Sequence, residues 1–193
     1  VGGTTRALPA LFTVIATQNP LEHEGTYPLP EAQLDRFLLK LHVSYPSPDE
    51  ELEVLRRDQE SRRNNAPRAE LTPKVSLDEV LSARHEVDTV YLDEMLQRYI
   101  VALVNASRDP TPWAPELAGY LTRGASPRAS LALARSARAL AYLRDRDFVE
   151  PGDIMAMAEP VLNHRIGLSF AARADGLSPS SLVARLTQAV PVP

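Results

Sequence analysis

The sequence predicts a mainly α-helical protein with a small α/β piece at its front. Leu11 to Ala16 (LFTVIA) is uncharged and carries two β-branched aliphatics, Val14 and Ile15. That composition suits a strand buried on both faces, as in a parallel sheet. Phe37 to Val43 is a second strand-like run. From Ser47 onward the pattern changes to helix-start signals followed by apolar residues at helical spacing, and this regime covers most of the 193 residues.

Taken in order, Val1 to Pro9 offers a Gly-Gly turn that reads either as a hairpin tip or as a loose terminus. The apolar run then ends in Thr17-Gln18-Asn19-Pro20. Polar side chains at the carboxyl end of a buried parallel strand lie where open α/β sheets bind ligands. The Asn19 amide both donates and accepts, which suits holding an attacking water; it equally suits capping a strand end before proline. Pro30-Glu31 opens a short helix ending near Arg36. On its own residues, Arg36 is either an exposed cation aimed at an external anion or a surface partner of Asp35 or Glu31.

Ser47-Pro48 with Glu50 reads as an N-cap, a first-turn proline and a capping box, starting a helix to about Arg62. Asn64 to Pro73 reads as a loop. Ser76 with Glu79 is a second capping box, for a helix to about Val87. In a third helix Leu92, Leu96, Tyr99, Ile100, Leu103 and Val104 share one face, the mark of core packing. Asp109 to Pro115 stops regular structure. Ser126 then caps a long helix begun by Pro127 and running to about Arg144, with alanines at positions that permit close helix packing. Arg128 sits in its first turn, where a cation opposes the helix dipole by a few tenths of a kcal/mol or more. Either a bound phosphate or a nearby carboxylate relieves that conflict. A further helix spans roughly Glu150 to Asn163, kinked or shortened by Pro160, and a last one spans Ser178 to Val190. His164 and Arg165 show no chemistry beyond packing or a subunit contact.

Composition excludes several classes. Hydrophobic residues at 44% and charged residues at 24% are ordinary for a globular chain. The absence of cysteine rules out disulfides and thiolate chemistry, and with no signal-peptide pattern and no long apolar run the expectation is a cytoplasmic protein. A net charge of −4 gives no general attraction to nucleic acid or membrane. Glu22-His23-Glu24 are adjacent in a loop and cannot converge on one ion, and the other histidines are scattered singly, so no metal site is expected. Lys40 and Lys74, the only lysines, lack the Gly-rich context of a Walker A loop. No run of four apolar residues precedes Asp-Glu, as a Walker B strand requires.

ATQNP followed by EGTYPLPEAQLDRF closely resembles the second half of the MoxR-family AAA+ ATPase module. GASPRA, and VEPGDI followed by VLNHRI, resemble its helical lid. The resemblance implies that residues 1–45 are the back of the AAA+ α/β core and that residues 46–193 form a helical region including the lid. It implies Asn19 as sensor 1, Arg36 as an arginine finger acting on a neighbouring subunit, and Arg128 as sensor 2. It further implies ATP and Mg²⁺ in the complete module, with the Mg²⁺ ligands outside this chain, and a homo-oligomeric ring, in this family a hexamer. A chaperone-like role in remodelling or maturing client proteins, including metal insertion, follows by the same resemblance, with von Willebrand factor A-domain proteins as partners. With neither Walker motif present, the expectation is that these 193 residues alone do not hydrolyse ATP. Two other readings stand beside this one: a helical protein-binding module without nucleotide chemistry, and a magnesium-chelatase-type AAA+ subunit. A nucleic-acid motor fits less well, because no basic face interleaved with aromatics occurs.

Overall fold

Capping chemistry sets most of the helix starts. In the computed structural model, which describes residues 3, 5, 7–18, 29–64 and 74–193, helix α1 (Glu31–Leu34) is a single turn preceded by Pro30. Helix α2 (Pro48–Asn64) begins where the Ser47 amide donates to Glu50 at 2.8 Å. Helix α3 (Leu77–Thr89) carries the reciprocal box: the Ser76 amide donates to Glu79 at 2.6 Å, and the Glu79 amide donates back to Ser76 Oγ at 3.2 Å. Each such cap satisfies donors that a helix start otherwise leaves open.

The core is assembled by the next helices. Helix α4 (Glu94–Ala106) buries Leu96, Tyr99, Ile100, Leu103 and Val104, the face expected from spacing. It packs against α5 (Pro127–Tyr142), whose Ala129, Ala132, Ala137 and Ala141 are buried. These small side chains let α5 lie close along α6 (Pro151–Leu162), which contributes Ile154, Ala158, Val161 and Leu162. Helix α8 (Pro179–Ala189) covers α6 with Leu182, Val183 and Leu186. Burying each such leucine stabilises by roughly 1.5–3 kcal/mol. Helix α3 joins the edge of this bundle through α5, where the Tyr142 hydroxyl donates to Glu86 at 3.0 Å.

Two further features close the bundle. Strands β1 (Leu121–Arg123) and β2 (Gly167–Leu168) pair antiparallel, with Leu121 opposite Leu168, and lead into the short α7 (Phe170–Ala174). At the α5–α6 turn the fully buried Asp153 accepts from Arg144 at 2.9 Å, from Arg146 at 2.6 and 2.9 Å, and from the Glu150 amide at 2.9 Å. Burial pushes the Asp153 carboxyl up. The Arg146 hydrogen bonds, the Glu150 amide and the two arginine charges outweigh that, so its pKa is lowered. Helix α6 runs two residues past Pro160 instead of ending there.

Several expectations need correction or fall elsewhere. The runs Leu11 to Ala16 and Phe37 to Val43 form no strand among the described residues. Ile15 is 84% exposed and Val43 94% exposed. A buried-strand composition specifies a strand only when neighbouring strands supply the ladder, and among the described residues none does. Phe37 to Lys40 instead bends irregularly against the end of α6, with Leu39 packed on the core and the Lys40 amide donating to the Pro160 carbonyl at 2.8 Å. Most of the Gly-Gly turn, Asn19, Glu22 to Glu24 and residues 65–73 lie outside the described residues.

Candidate functional site

The GASPRA loop is held by the end of α4. A Cβ on Gly124 would stand 2.6 Å from the Arg108 Cα and from the Ser107 carbonyl oxygen, so only glycine fits. The Ala125 amide donates to Ser107 Oγ at 3.0 Å, and Arg108 Nε donates to the Ala125 carbonyl at 2.7 Å. With the loop fixed on both sides of Ala125, Ser126 caps α5. Its hydroxyl accepts the Arg128 amide at 3.2 Å and donates toward the carboxylate of Asp35, at 3.0 and 2.8 Å from the two oxygens.

Asp35, just after α1, is where distant parts of the chain meet. Besides Ser126, Arg128 Nη1 donates to it at 3.1 Å and Arg165 Nε at 3.2 Å. Burial alone raises its pKa. The Ser126 hydroxyl, the Arg128 hydrogen bond and the charges of Arg165 and Arg128 overcome that and lower it. The carboxylate therefore stays ionised with two cations and a hydroxyl around it.

Arg165 reaches much further than this one pair. Its side chain is only 2% exposed. Nη2 donates to the carbonyls of Asp35 and Phe37, and Nη1 to those of Leu38 and Val161. One planar fork thus satisfies backbone acceptors on both sides of Arg36. The neighbouring His164 Nε2 lies 3.2 Å from the Phe37 carbonyl. A carbonyl only accepts, so Nε2 carries the proton and Nδ1, buried and without a partner among the described residues, is the bare nitrogen. Burial and then the charge of Arg165 push the His164 pKa down, so the ring is held neutral.

Arg36 itself is exposed, and among the described residues it has no ion pair. Both carboxylates that could have neutralised it are engaged elsewhere: Asp35 as above, and Glu31 by Arg123 at 2.9 Å. Arg36 lines an open groove of about 940 Å³ together with Asp35, Arg84, Arg128 and Arg135. Cations dominate this surface in a chain of net charge −4. Arg128 is paired with a carboxylate, one of its two sequence-level alternatives, yet remains 58% exposed toward the groove. The structure therefore brings Arg36 and Arg128 to one groove, while Asn19 lies outside the described residues.

Sequence reasoning missed Asp35, His164 and Arg165 as members of the site. The misplaced cation at the start of α5 was the one local signal that a carboxylate was needed. Among the described residues no cluster of three His, Asp or Glu side chains could hold a metal ion.

Comparison with known proteins matches these segments piecewise. The AAA lid domain matches residues 118–186, and the ATPase family associated with various cellular activities (AAA) matches residues 1–39. The chain is 41% identical over 194 residues to the protein named Chaperone MoxR1 of Mycobacterium tuberculosis, covering all of this chain and 50% of that one. It is 41% identical over 193 residues to the uncharacterized protein YeaC of Bacillus subtilis, again over the whole chain and 57% of the relative. A crystal structure of a candidate ATPase from Cytophaga hutchinsonii superposes with a TM-score of 0.90 at 42% identity, over 100% of this chain and 58% of that one. The chain spans about half the length of the curated relatives it matches.

Proposed function

The chain belongs to the MoxR family of AAA+ ATPases, and from that premise we propose that it supplies the sensors, the arginine finger and the lid of an ATP-driven, chaperone-like machine. Residues 1–45 are the back of the α/β core, and residues 46–193 are the helical region that carries the lid. In the assembled module Asn19 orients the attacking water. Arg128 contacts the nucleotide phosphates from the lid of its own subunit. Arg36 reaches the γ-phosphate held by the neighbouring subunit of a hexameric ring. Hydrolysis belongs to the complete module and not to these 193 residues alone. Remodelling or maturation of client proteins, including metal insertion, together with a von Willebrand factor A-domain protein, is the role this reading assigns.

The observation that carries the reading is the exposed Arg36, without an ion pair among the described residues, in one cationic groove with Arg128, while Asp35 and Glu31 are engaged elsewhere. A guanidinium with no ion pair among the described residues is available to an anion brought from outside. The positive end of the α5 dipole adds to the charge of Arg128, which fits a polyphosphate. ATP with Mg²⁺, when bound, supplies the transferable phosphoryl group and neutralises its charge. The described residues offer no ligand set for the Mg²⁺. The chain's own part is positioning: Arg165 and His164 fix the backbone that presents Arg36, and the Ser107–Arg108 contacts fix the loop that presents Arg128.

The test uses the full-length protein in its assembled state. Arg36→Ala should lower ATP turnover by about 10³-fold or more while leaving nucleotide affinity nearly intact, since a finger acts on the transition state. Arg128→Ala should weaken nucleotide binding itself. Turnover unaltered by both changes would sink the finger and sensor assignments.

A further inference from the structure

We propose that Asp35 gates Arg128: its carboxylate holds the guanidinium in this structure, and a phosphate must displace it before Arg128 becomes a nucleotide contact. The proposal rests on the reading of Arg128 given above and concerns which group competes for it. Three donors converge on Asp35, and their burial differs sharply. Arg165 is 2% exposed and is tied to four carbonyls as well, so it cannot leave without releasing the whole 35–38 segment. Ser126 is fixed as the cap of α5. Arg128 is 58% exposed, makes its one ion pair among the described residues through Nη1, and faces the open groove. It is the contact that yields.

Its departure leaves Asp35 well provided for. The carboxylate side chain is 14% exposed and keeps the buried Arg165 charge on Oδ1 and the Ser126 hydroxyl between its oxygens. No orphaned buried charge results, which is the outcome that would otherwise make such an exchange costly. Asp35 therefore sets a threshold: weak anions lose to it and a polyphosphate wins. An ion pair with one exposed partner supports a competition of about two- to fivefold in anion affinity.

The 193-residue chain can be titrated with inorganic tripolyphosphate, following arginine Nε–Hε signals by NMR. Asp35→Asn should bind the probe about two- to fivefold more tightly than the unmodified chain. Arg128→Ala should bind it more weakly, and the double variant should match Arg128→Ala. The double variant matters because removing any acid from a cationic groove raises anion affinity through the field alone. If the gain from Asp35→Asn persists without Arg128, the gate is refuted. Unchanged or weaker binding by Asp35→Asn also refutes it, while the reading of Arg128 survives provided Arg128→Ala still weakens binding. Binding indifferent to Arg128, or absent throughout, removes that reading and the gate together. Should Asp35→Asn not fold, the unmodified chain decides. The Arg128 signal shifting on titration while the Arg165 signal stays put supports the gate, and both moving together, or neither, overturns it.

Discussion

Replacing Arg165 by alanine should detach Phe37 to Lys40 from the helical bundle. The side chain is 2% exposed, and its five donor contacts go to Asp35 Oδ1 and to the carbonyls of Asp35, Phe37, Leu38 and Val161. Summing charge-assisted hydrogen bonds would overstate the effect, because released carbonyls can hydrate. Removing one partner of a buried ion pair costs about 3–5 kcal/mol. The low end applies here, since Asp35 retains Arg128 and Ser126. For a chain of this size about 3 kcal/mol corresponds to a fall in Tm of roughly 6–12 °C, read by scanning calorimetry. Hydrogen exchange supplies the local readout, because the Lys40 amide is bonded to the Pro160 carbonyl and should lose protection first. Arg165→Lys keeps a charge without the planar fork and should fall between the two. A Tm within about 2 °C of the unmodified chain, with Lys40 protection intact, would refute the clamp.

Gly124→Ala places a methyl 2.6 Å from backbone atoms of Ser107 and Arg108 and should cost about 1–3 kcal/mol in urea denaturation; a neutral result would mean the loop is not pinned there. Asp153→Ala uncovers Arg144 and Arg146 and removes an acceptor from the start of α6, so a loss of about 3 kcal/mol is expected, and a double-mutant cycle with Arg146→Ala should show strong coupling. His164 should titrate below its ordinary 6.5, as followed by its ring proton shifts in NMR. Between the two pKa values the unfolded chain binds more protons, so stability is full above about pH 6.5 and declines as pH falls toward the folded value. His164→Gln should flatten that decline, and an unchanged slope would place its cause elsewhere. Asp35 and Asp153 both titrate below 3.8 when folded, so their contribution persists above that pH and is lost as pH falls through the folded values, a window separate from that of His164.

The helical bundle was legible because its information is local. Ser47 with Glu50, Ser76 with Glu79, and Ser126 with Pro127 each announce a helix within four residues, and the inward face of α4 repeats at helical spacing. Short elements left no such trace: β1 and β2 have three and two residues, and their pairing depends on Gly167 allowing close approach to Thr122. The site was half legible. Arg36 and Arg128 stand in recognisable motifs, whereas Asp35 and Arg165 are 130 positions apart and nothing near either one names the other. Arg165 follows a buried, uncharged stretch and by local rules should have sought water; the Asp35 carboxylate and the carbonyls of a distant segment explain its burial. The two strand-like runs failed for the complementary reason, since β composition states a preference for partners and cannot produce them.

Those runs have a consequence for how the polypeptide behaves in solution. Leu11, Phe12, Val14 and Ile15, and then Leu41, Val43 and Tyr45, are exposed, and among the described residues no strand lies alongside either run. Exposed apolar, β-prone segments with no strand beside them can act as templates for another extended chain. Self-association of this polypeptide should therefore rise with concentration, resist added salt, and yield to a few charged substitutions at Val14 or Val43. The same adhesiveness, met by strands of the right register, is what would draw a sheet together around these residues.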